Sequence, residues 1–260
     1  MTHNRAVVVT GSAGGLGAAT ARTFRDAGYT VFGFDRVTDA SGSTDLTSLH
    51  VDVLDDESVR SAVARVTAEH ELAGLVHCAG IADFGPDNPG HLISPSTGDV
   101  LDNLETIRRT LRINLEGTFS VARHVAAAMS TQPRGVDADT DAGRFIILTS
   151  SGAALEGKAG QSAYSASKSG VIGMTLPLAR ELSPFGIRVV TIAPGLFDTP
   201  ILAATPRLPR HVPFPSRMGD PREFAKLALH ISANAYINAD VIRIDGGTRG
   251  GFESATPFVR

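Results

Sequence analysis

The sequence predicts a doubly wound α/β fold, in which one domain over residues 1–260 surrounds a parallel sheet of about seven strands with helices on both faces. Short apolar runs rich in β-branched residues alternate with longer helical patterns. The runs lack polar alternation, which is typical of strands buried on both faces. No linker, charge block or repeat interrupts this order, so a single domain is expected.

The predicted elements follow one another along the chain as strand, then helix. Seven apolar runs are the predicted strands, at residues 6–10, 30–35, 49–53, 75–78, 145–149, 187–192 and 241–245. The predicted helices are residues 15–28, 56–70, 99–130, 162–183 and 221–233. Three segments are irregular: 82–98, 131–143 and the proline-rich 194–219. We interpret 131–143 as a surface connection and 194–219 as a substrate loop.

Composition excludes several classes of protein. The formal net charge of −3 provides no basic field for nucleic acid, and no stretch is apolar for long enough to span a bilayer. A single cysteine, Cys78, excludes an internal disulfide and a multi-cysteine metal site, so no metal is predicted. The polar N-terminus carries no secretory signal pattern. We therefore expect a cytoplasmic protein without nucleic-acid or membrane partners.

A glycine-rich turn follows the first predicted strand, where residues 10–17 read TGSAGGLG. Gly11 permits a tight turn, Gly15 lets backbone approach a pyrophosphate, and Gly17 lets the next helix pack closely on the sheet. Free N–H groups at the start of that helix face an anion. The pattern predicts a dinucleotide site of the Rossmann type. The predicted cofactor contacts of this turn are Gly11, Gly14, Gly15, Leu16 and Gly17.

An acidic residue, Asp35, ends the second predicted strand. An acid at this place hydrogen-bonds the adenosine ribose and repels a 2′-phosphate, which favours NAD over NADP. Arg36 follows directly, and contact with a phosphate would weaken that preference. Asp52 is predicted to accept a hydrogen bond from the adenine amino group, with Val53 beside it at the cofactor.

Three reactive side chains follow the fifth predicted strand. Tyr164 and Lys168 share one face of a predicted helix, and Ser151 lies just past the end of the strand, where ligands bind in open α/β sheets. A lysine ammonium favours phenolate and would lower the pKa of Tyr164. Tyr164 could then exchange a proton with an alcohol or ketone, whose oxygen Ser151 would hold.

Together these residues resemble the short-chain dehydrogenase/reductase family over nearly the whole chain. Further matches are the segment 78–80 (Cys-Ala-Gly), Asn114 and the segment 194–195 (Pro-Gly). The resemblance implies that Asn114 is a fourth catalytic residue, which binds a water on a proton relay to Lys168. The cofactor contacts implied beyond the glycine turn are Cys78, Ala79, Gly80, Tyr164, Lys168, Pro194, Gly195 and Thr199.

The second half of the chain is similar to members of this family that oxidise 3-hydroxyacyl-CoA. This likeness implies NAD-dependent conversion of 3-hydroxyacyl-CoA to 3-oxoacyl-CoA by a homotetramer. A hydroxysteroid or another small secondary alcohol is the alternative substrate, and a catalytically silent nucleotide sensor is a remote alternative. The predicted substrate contacts are Ser151, Lys158, Gln161, Tyr164, Leu196 and Phe197.

The chain also departs from the family pattern. His77 stands where the family usually has an asparagine, and we expect it to be structural. Lys158 stands where those relatives have glutamine, and it either contacts substrate charge or points to solvent. Four basic residues of the 194–219 loop either contact CoA phosphates or form a solvated surface. They are Arg207, Arg210, His211 and Arg217.

Overall fold

Seven parallel strands form one sheet in the computed structural model, which describes residues 5–37, 46–82, 90–94, 96–132, 143–157, 159–203 and 212–249. The strands are β1 Arg5–Thr10, β2 Thr30–Asp35, β3 Thr47–His50, β4 Glu71–His77, β5 Arg144–Thr149, β6 Ile187–Pro194 and β7 Val241–Ile244. Their order is β3-β2-β1-β4-β5-β6-β7. Since the order reverses between β1 and β4, a crevice opens at the carboxyl ends of these two strands.

Helices cover both faces of the sheet. They are α1 Gly15–Asp26, α2 Asp56–Thr67, α3 Leu104–Leu111, α4 Gly117–Thr131, α5 Ser162–Leu182, α6 Pro200–Ala203 and α7 Pro221–Ala233. Phe24 of α1 and Phe224 of α7 pack on one face with Val7 and Val9 of β1. The other face is covered by α2, α4 and α5, which pack against Val8 and its neighbours. The predicted doubly wound fold is therefore confirmed.

Side-chain caps show why two of the helices begin where they do. The Asp55 carboxylate accepts hydrogen bonds from the backbone N–H groups of Glu57 and Ser58 at the start of α2. Asp220 and Glu223 form a reciprocal capping box at the start of α7. Among the described residues, no helix has both the length and the apolar character needed to cross a membrane.

Two predicted strands differ from the structure by three or more residues at one end. The third strand ends at His50 rather than at Val53, because Asp52 begins a turn in which its side chain accepts a hydrogen bond from Leu54 N. Val51 and Val53 are buried without belonging to the strand. The fourth strand is longer at its start, running from Glu71 to His77.

The prediction of one helix over residues 99–130 is wrong. Residues 99–103 precede the helix, and Asn103 Nδ2 donates to the carbonyl of His91. The helical path is then divided by a π-helical turn, Arg112–Glu116, between α3 and α4. Such turns contain one residue more than α-helical spacing allows and are frequent at functional sites.

Candidate active site

A cleft of about 610 Å³ opens at the carboxyl ends of the central strands. Eighteen of the residues predicted to bind cofactor or substrate, or to take part in catalysis, line it: Gly11, Gly14, Gly15, Leu16, Gly17, Asp35, Cys78, Ala79, Gly80, Ser151, Gln161, Tyr164, Lys168, Pro194, Gly195, Leu196, Phe197 and Thr199. Asp52, Val53 and Asn114 are not on its wall. Lys158 lies outside the described residues.

The glycine turn requires residues without a side chain at particular positions. Gly11 and Gly15 have φ values of +65° and +51°, a region that favours glycine. A Cβ at Gly17 would lie 2.1 Å from the carbonyl oxygen of Gly11, so the close approach of α1 to β1 depends on its absence. A Cβ at Gly14 would meet nothing within 4 Å, so this backbone faces open space. The turn thus fits a phosphate group against the start of α1.

The Asp35 carboxylate joins the second strand to the glycine turn. Its Oδ2 accepts a hydrogen bond from Ala13 N at 2.9 Å, and its Oδ1 accepts one from Val37 N at 3.0 Å. A carboxylate has about four acceptor sites, so capacity for ribose hydroxyls remains. Arg36 Nε lies 3.8 Å from Asp52 Oδ2, which places this guanidinium beside a carboxylate.

Lys168 and Tyr164 face the cleft from the first turns of α5. Lys168 Nζ donates to the carbonyl of Thr149 at 3.0 Å and lies 6.0 Å from the centroid of the Tyr164 ring. Burial lowers the pKa of Lys168 to about 8. Burial raises the pKa of Tyr164, and a hydrogen bond with Ser151 opposes that rise. A lowering of this pKa by the Lys168 ammonium stays a prediction, and Ser151 is a second group that acts in the same direction.

Asn114 is fully buried in the π-helical turn, behind the cleft wall. Its Oδ1 accepts a hydrogen bond from Ile81 N at 2.8 Å, and its Nδ2 donates to Ile81 O and Ser167 Oγ at 2.9 and 3.1 Å. A Cβ at Gly80 would lie 3.1 Å from Asn114 Oδ1 and 3.2 Å from Lys168 Nζ. The asparagine and the lysine thus meet at Gly80, and binding of a relay water stays a prediction.

Thr10 organises the loop that follows β4, a role the sequence analysis did not assign. Its Oγ1 accepts hydrogen bonds from Cys78 N at 3.1 Å and Ala79 N at 3.0 Å, and lies 3.0 Å from Nδ1 of the buried His77. Burial and, to a lesser degree, the Lys168 charge lower the pKa of His77 to about 3. Burial raises the pKa of the Cys78 thiol to about 11, so this thiol is protonated at neutral pH. The only signal for Thr10 was its position before Gly11.

Two charged residues on the cleft wall, Glu156 and Arg243, were also missed. Their carboxylate and guanidinium form an ion pair at 2.6 Å. A signal for Arg243 was available, since it is a charged residue within an apolar predicted strand. In the part of the chain that the structure describes, no group of three His, Cys, Asp or Glu side chains could hold a metal ion.

The basic residues of the 194–219 loop are described only at Arg217. Its guanidinium donates to both carboxylate oxygens of Glu223, at 2.8 and 2.9 Å. This pairing favours a structural role for Arg217 over capture of a phosphate. Arg207, Arg210 and His211 lie outside the described residues.

The fold and the cleft define a nucleotide-dependent oxidoreductase, and comparison with known proteins agrees. The family model described as short chain dehydrogenase matches residues 5–207. The chain belongs to the short-chain dehydrogenase family and is an oxidoreductase. Family membership and the glycine turn together support a nucleotide cofactor.

The chain is also similar to individual proteins of this family over most of its length. The chain is 41% identical over 256 residues to 3-hydroxyacyl-CoA dehydrogenase type-2 of Rattus norvegicus, covering 93% of this chain and 94% of the relative. It is 40% identical over 260 residues to the Homo sapiens enzyme of the same name, with the same shares covered. A crystal structure of 3-hydroxyacyl-CoA dehydrogenase type-2 from Mycobacterium avium superimposes with a TM-score of 0.83 at 34% identity, covering 95% of this chain and 97% of that one.

Proposed function

We propose that the protein uses NAD to interconvert a secondary alcohol and a ketone, with 3-hydroxyacyl-CoA and 3-oxoacyl-CoA as the substrate pair. The observation that carries this proposal is the presence of Ser151, Tyr164 and Lys168 on the wall of the same cleft as the glycine turn and Asp35. An acid–base group, a group for the substrate oxygen and a nucleotide site are thereby combined in one cavity.

Oxidation of the alcohol requires the loss of a hydride from carbon and of a proton from oxygen. NAD, when bound, supplies the hydride acceptor. Tyr164 Oη takes the hydroxyl proton, and Ser151 Oγ holds the same substrate oxygen by a hydrogen bond. Since burial raises the pKa of Tyr164, the oxidation rate should increase with pH as the phenolate forms. Lys168, fixed by the Thr149 carbonyl, holds positive charge near the tyrosine in its ammonium form.

The choice of substrate is supported by the names of the relatives. The apolar side chains of Leu196, Phe197 and Leu202 on the cleft wall also suit an acyl chain. The same apolar wall would accept a hydroxysteroid or another small secondary alcohol, which is the second candidate. Rates with NADH on acetoacetyl-CoA and on a ketosteroid separate the two, and no turnover of any acyl-CoA would remove the first.

The acid–base role is tested with Tyr164→Phe. We expect kcat to decrease by about a hundredfold to ten-thousandfold, because the variant has no proton to exchange. Binding of NAD should be retained. Tyr236→Phe is the matched control, since that tyrosine is 99% exposed. A Tyr164→Phe enzyme with wild-type turnover would refute the mechanism, and NAD binding without any turnover by the wild type would instead indicate a nucleotide sensor.

The preference for NAD over NADP is proposed on the position of Asp35 at the cleft. We also propose a homotetramer, as the family resemblance implies. Phe119 of α4 and Leu176 of α5 are 48% and 43% exposed, which fits burial between subunits. Sedimentation equilibrium at several protein concentrations would test the assembly, and a monomer at micromolar concentration would contradict it.

A further inference from the structure

A network of charged side chains lies at the end of β7. Arg243 NH1 donates to Glu156 Oε1 at 2.6 Å, its Nε donates to Asp245 Oδ2 at 2.7 Å, and its NH2 donates to the carbonyl of Thr248 at 3.2 Å. The Asp245 carboxylate also accepts hydrogen bonds from Arg249 NH1 and from Gly247 N. With three donors engaged by separate acceptors, the Arg243 guanidinium is held in one orientation.

Glu156, the partner across the cleft wall, ends the turn that begins at Ser151. In this turn Ser151 Oγ accepts a hydrogen bond from Ala153 N at 3.1 Å, and the carbonyl of Gly152 accepts one from Glu156 N at 3.0 Å. Residues 151–156 therefore form a compact unit with Ser151 at one end and Glu156 at the other. The ion pair ties this unit to β7, which is otherwise remote from it along the chain.

The Arg243–Glu156 ion pair is more buried than a typical surface ion pair, so its electrostatic interaction is stronger. The side chains of Arg243 and Glu156 are 20% and 28% exposed, and that of Asp245 is 6% exposed. Partly buried charges with fixed geometry are screened less by solvent than exposed ones. Both residues also line the cleft that contains Ser151 and Tyr164.

We infer that Arg243 is a positioning residue for catalysis, which holds Ser151 in place through the Glu156 ion pair and the turn 151–156. This inference rests on the proposed roles of Ser151 and Tyr164. A displaced Ser151 would hold the substrate oxygen poorly, and a small displacement at a reacting centre is costly in rate. It would also weaken the hydrogen bond that lowers the pKa of Tyr164.

A purely structural ion pair would have different consequences. Its loss would lower the melting temperature and leave kcat and the pH profile unchanged. A positioning role predicts a decrease in kcat and a shift of the acidic limb of the oxidation profile to higher pH, because Tyr164 would deprotonate less readily. NAD affinity should stay the same, since Gly11, Gly15 and Asp35 are not part of the network.

The test compares Glu156→Gln, Arg243→Met and the double variant with wild type. Glu156→Gln is nearly isosteric, so it remains informative if Arg243→Met folds poorly. We expect kcat to decrease about tenfold in Glu156→Gln and at least as much in Arg243→Met, which also loses the hydrogen bonds to Asp245 and Thr248. The double variant should be no slower than Arg243→Met, because Arg243 acts on Ser151 through Glu156. Glu57→Gln is the control, since it breaks the exposed Glu57–Arg60 pair on α2.

The outcomes separate this inference from the proposed function. The inference is supported if Glu156→Gln lowers kcat and moves the acidic limb upward while NAD binding and the KM for NAD remain at wild-type values. It is overturned if Glu156→Gln changes only the melting temperature while Tyr164→Phe is inactive. A fully active Tyr164→Phe enzyme would instead overturn the proposed function itself.

Discussion

Asp35 has two roles in the structure, since its carboxylate holds the backbone of the glycine turn and lines the cleft. In Asp35→Asn the side-chain oxygen is retained and the charge is lost. We expect the ratio of kcat/KM with NADP to that with NAD to increase roughly tenfold, the scale of one charge-assisted hydrogen bond. Asp26→Asn, which removes a surface carboxylate of α1, is the control. An unchanged ratio would show that Asp35 does not determine the choice of cofactor.

The position of Ser151, Tyr164 and Lys168 at one cleft could be predicted from the sequence, because they are reactive residue types at short spacing after a recognisable strand. The pairing of Arg243 with Glu156 could not be predicted, because 87 positions separate the two residues and the Glu156 charge alone is compatible with a surface residue. The influence of Ser151 on the pKa of Tyr164 was also unpredictable, since it depends on burial and on one hydrogen bond.

The turn between α7 and β7 contains a strained residue. Ala239 has a φ of +61°, the one described non-glycine residue with a positive value. Ala239→Gly should raise the free energy of unfolding by about 0.5 kcal/mol, because relief of the left-handed conformation outweighs the entropy of glycine in the unfolded chain. Ala235→Gly in the same turn should lower it by about 0.4–1 kcal/mol, since Ala235 has a negative φ. Urea denaturation measures both, and equal signs would contradict the assignment of strain.

The helices show what periodicity can and cannot predict. The apolar spacing predicted α1, α2, α5 and α7 to within a few residues. It could not predict the π-helical turn, because one extra residue within Arg112–Glu116 changes the hydrogen-bond pattern without interrupting a helical composition. In this turn the side chain of Asn114 forms hydrogen bonds with Ile81 and Ser167, so a predicted catalytic residue lies within the irregular segment.

The acid stability of the whole molecule should depend on His77. Its pKa is about 3 in the folded protein and near 6.5 in an unfolded chain, so the unfolded state binds more protons between these values. The contribution of His77 to the free energy of unfolding is therefore fully present above pH 6.5 and is lost toward pH 3, by about 1 kcal/mol per pH unit. His77→Asn should flatten this dependence, whereas His50→Asn, at an exposed site of β3, should not. Denaturant titrations from pH 7 to pH 4 test this, and an unchanged slope in His77→Asn would refute it.

The hydrogen-bond partners of the Thr10 hydroxyl predict which nitrogen of neutral His77 carries the proton. A hydroxyl oxygen has two lone pairs, and Cys78 N–H and Ala79 N–H engage both. We therefore expect the one hydrogen of Thr10 to point to Nδ1 and the neutral ring to be the Nε2–H tautomer, whose Nε2 is buried and has no hydrogen-bond partner among the described residues. Nitrogen-15 NMR of the imidazole should show this single tautomer, and the Thr10→Val variant should show a mixture of the two neutral tautomers. A hydroxyl at the end of β1 thereby directs a proton inside β4.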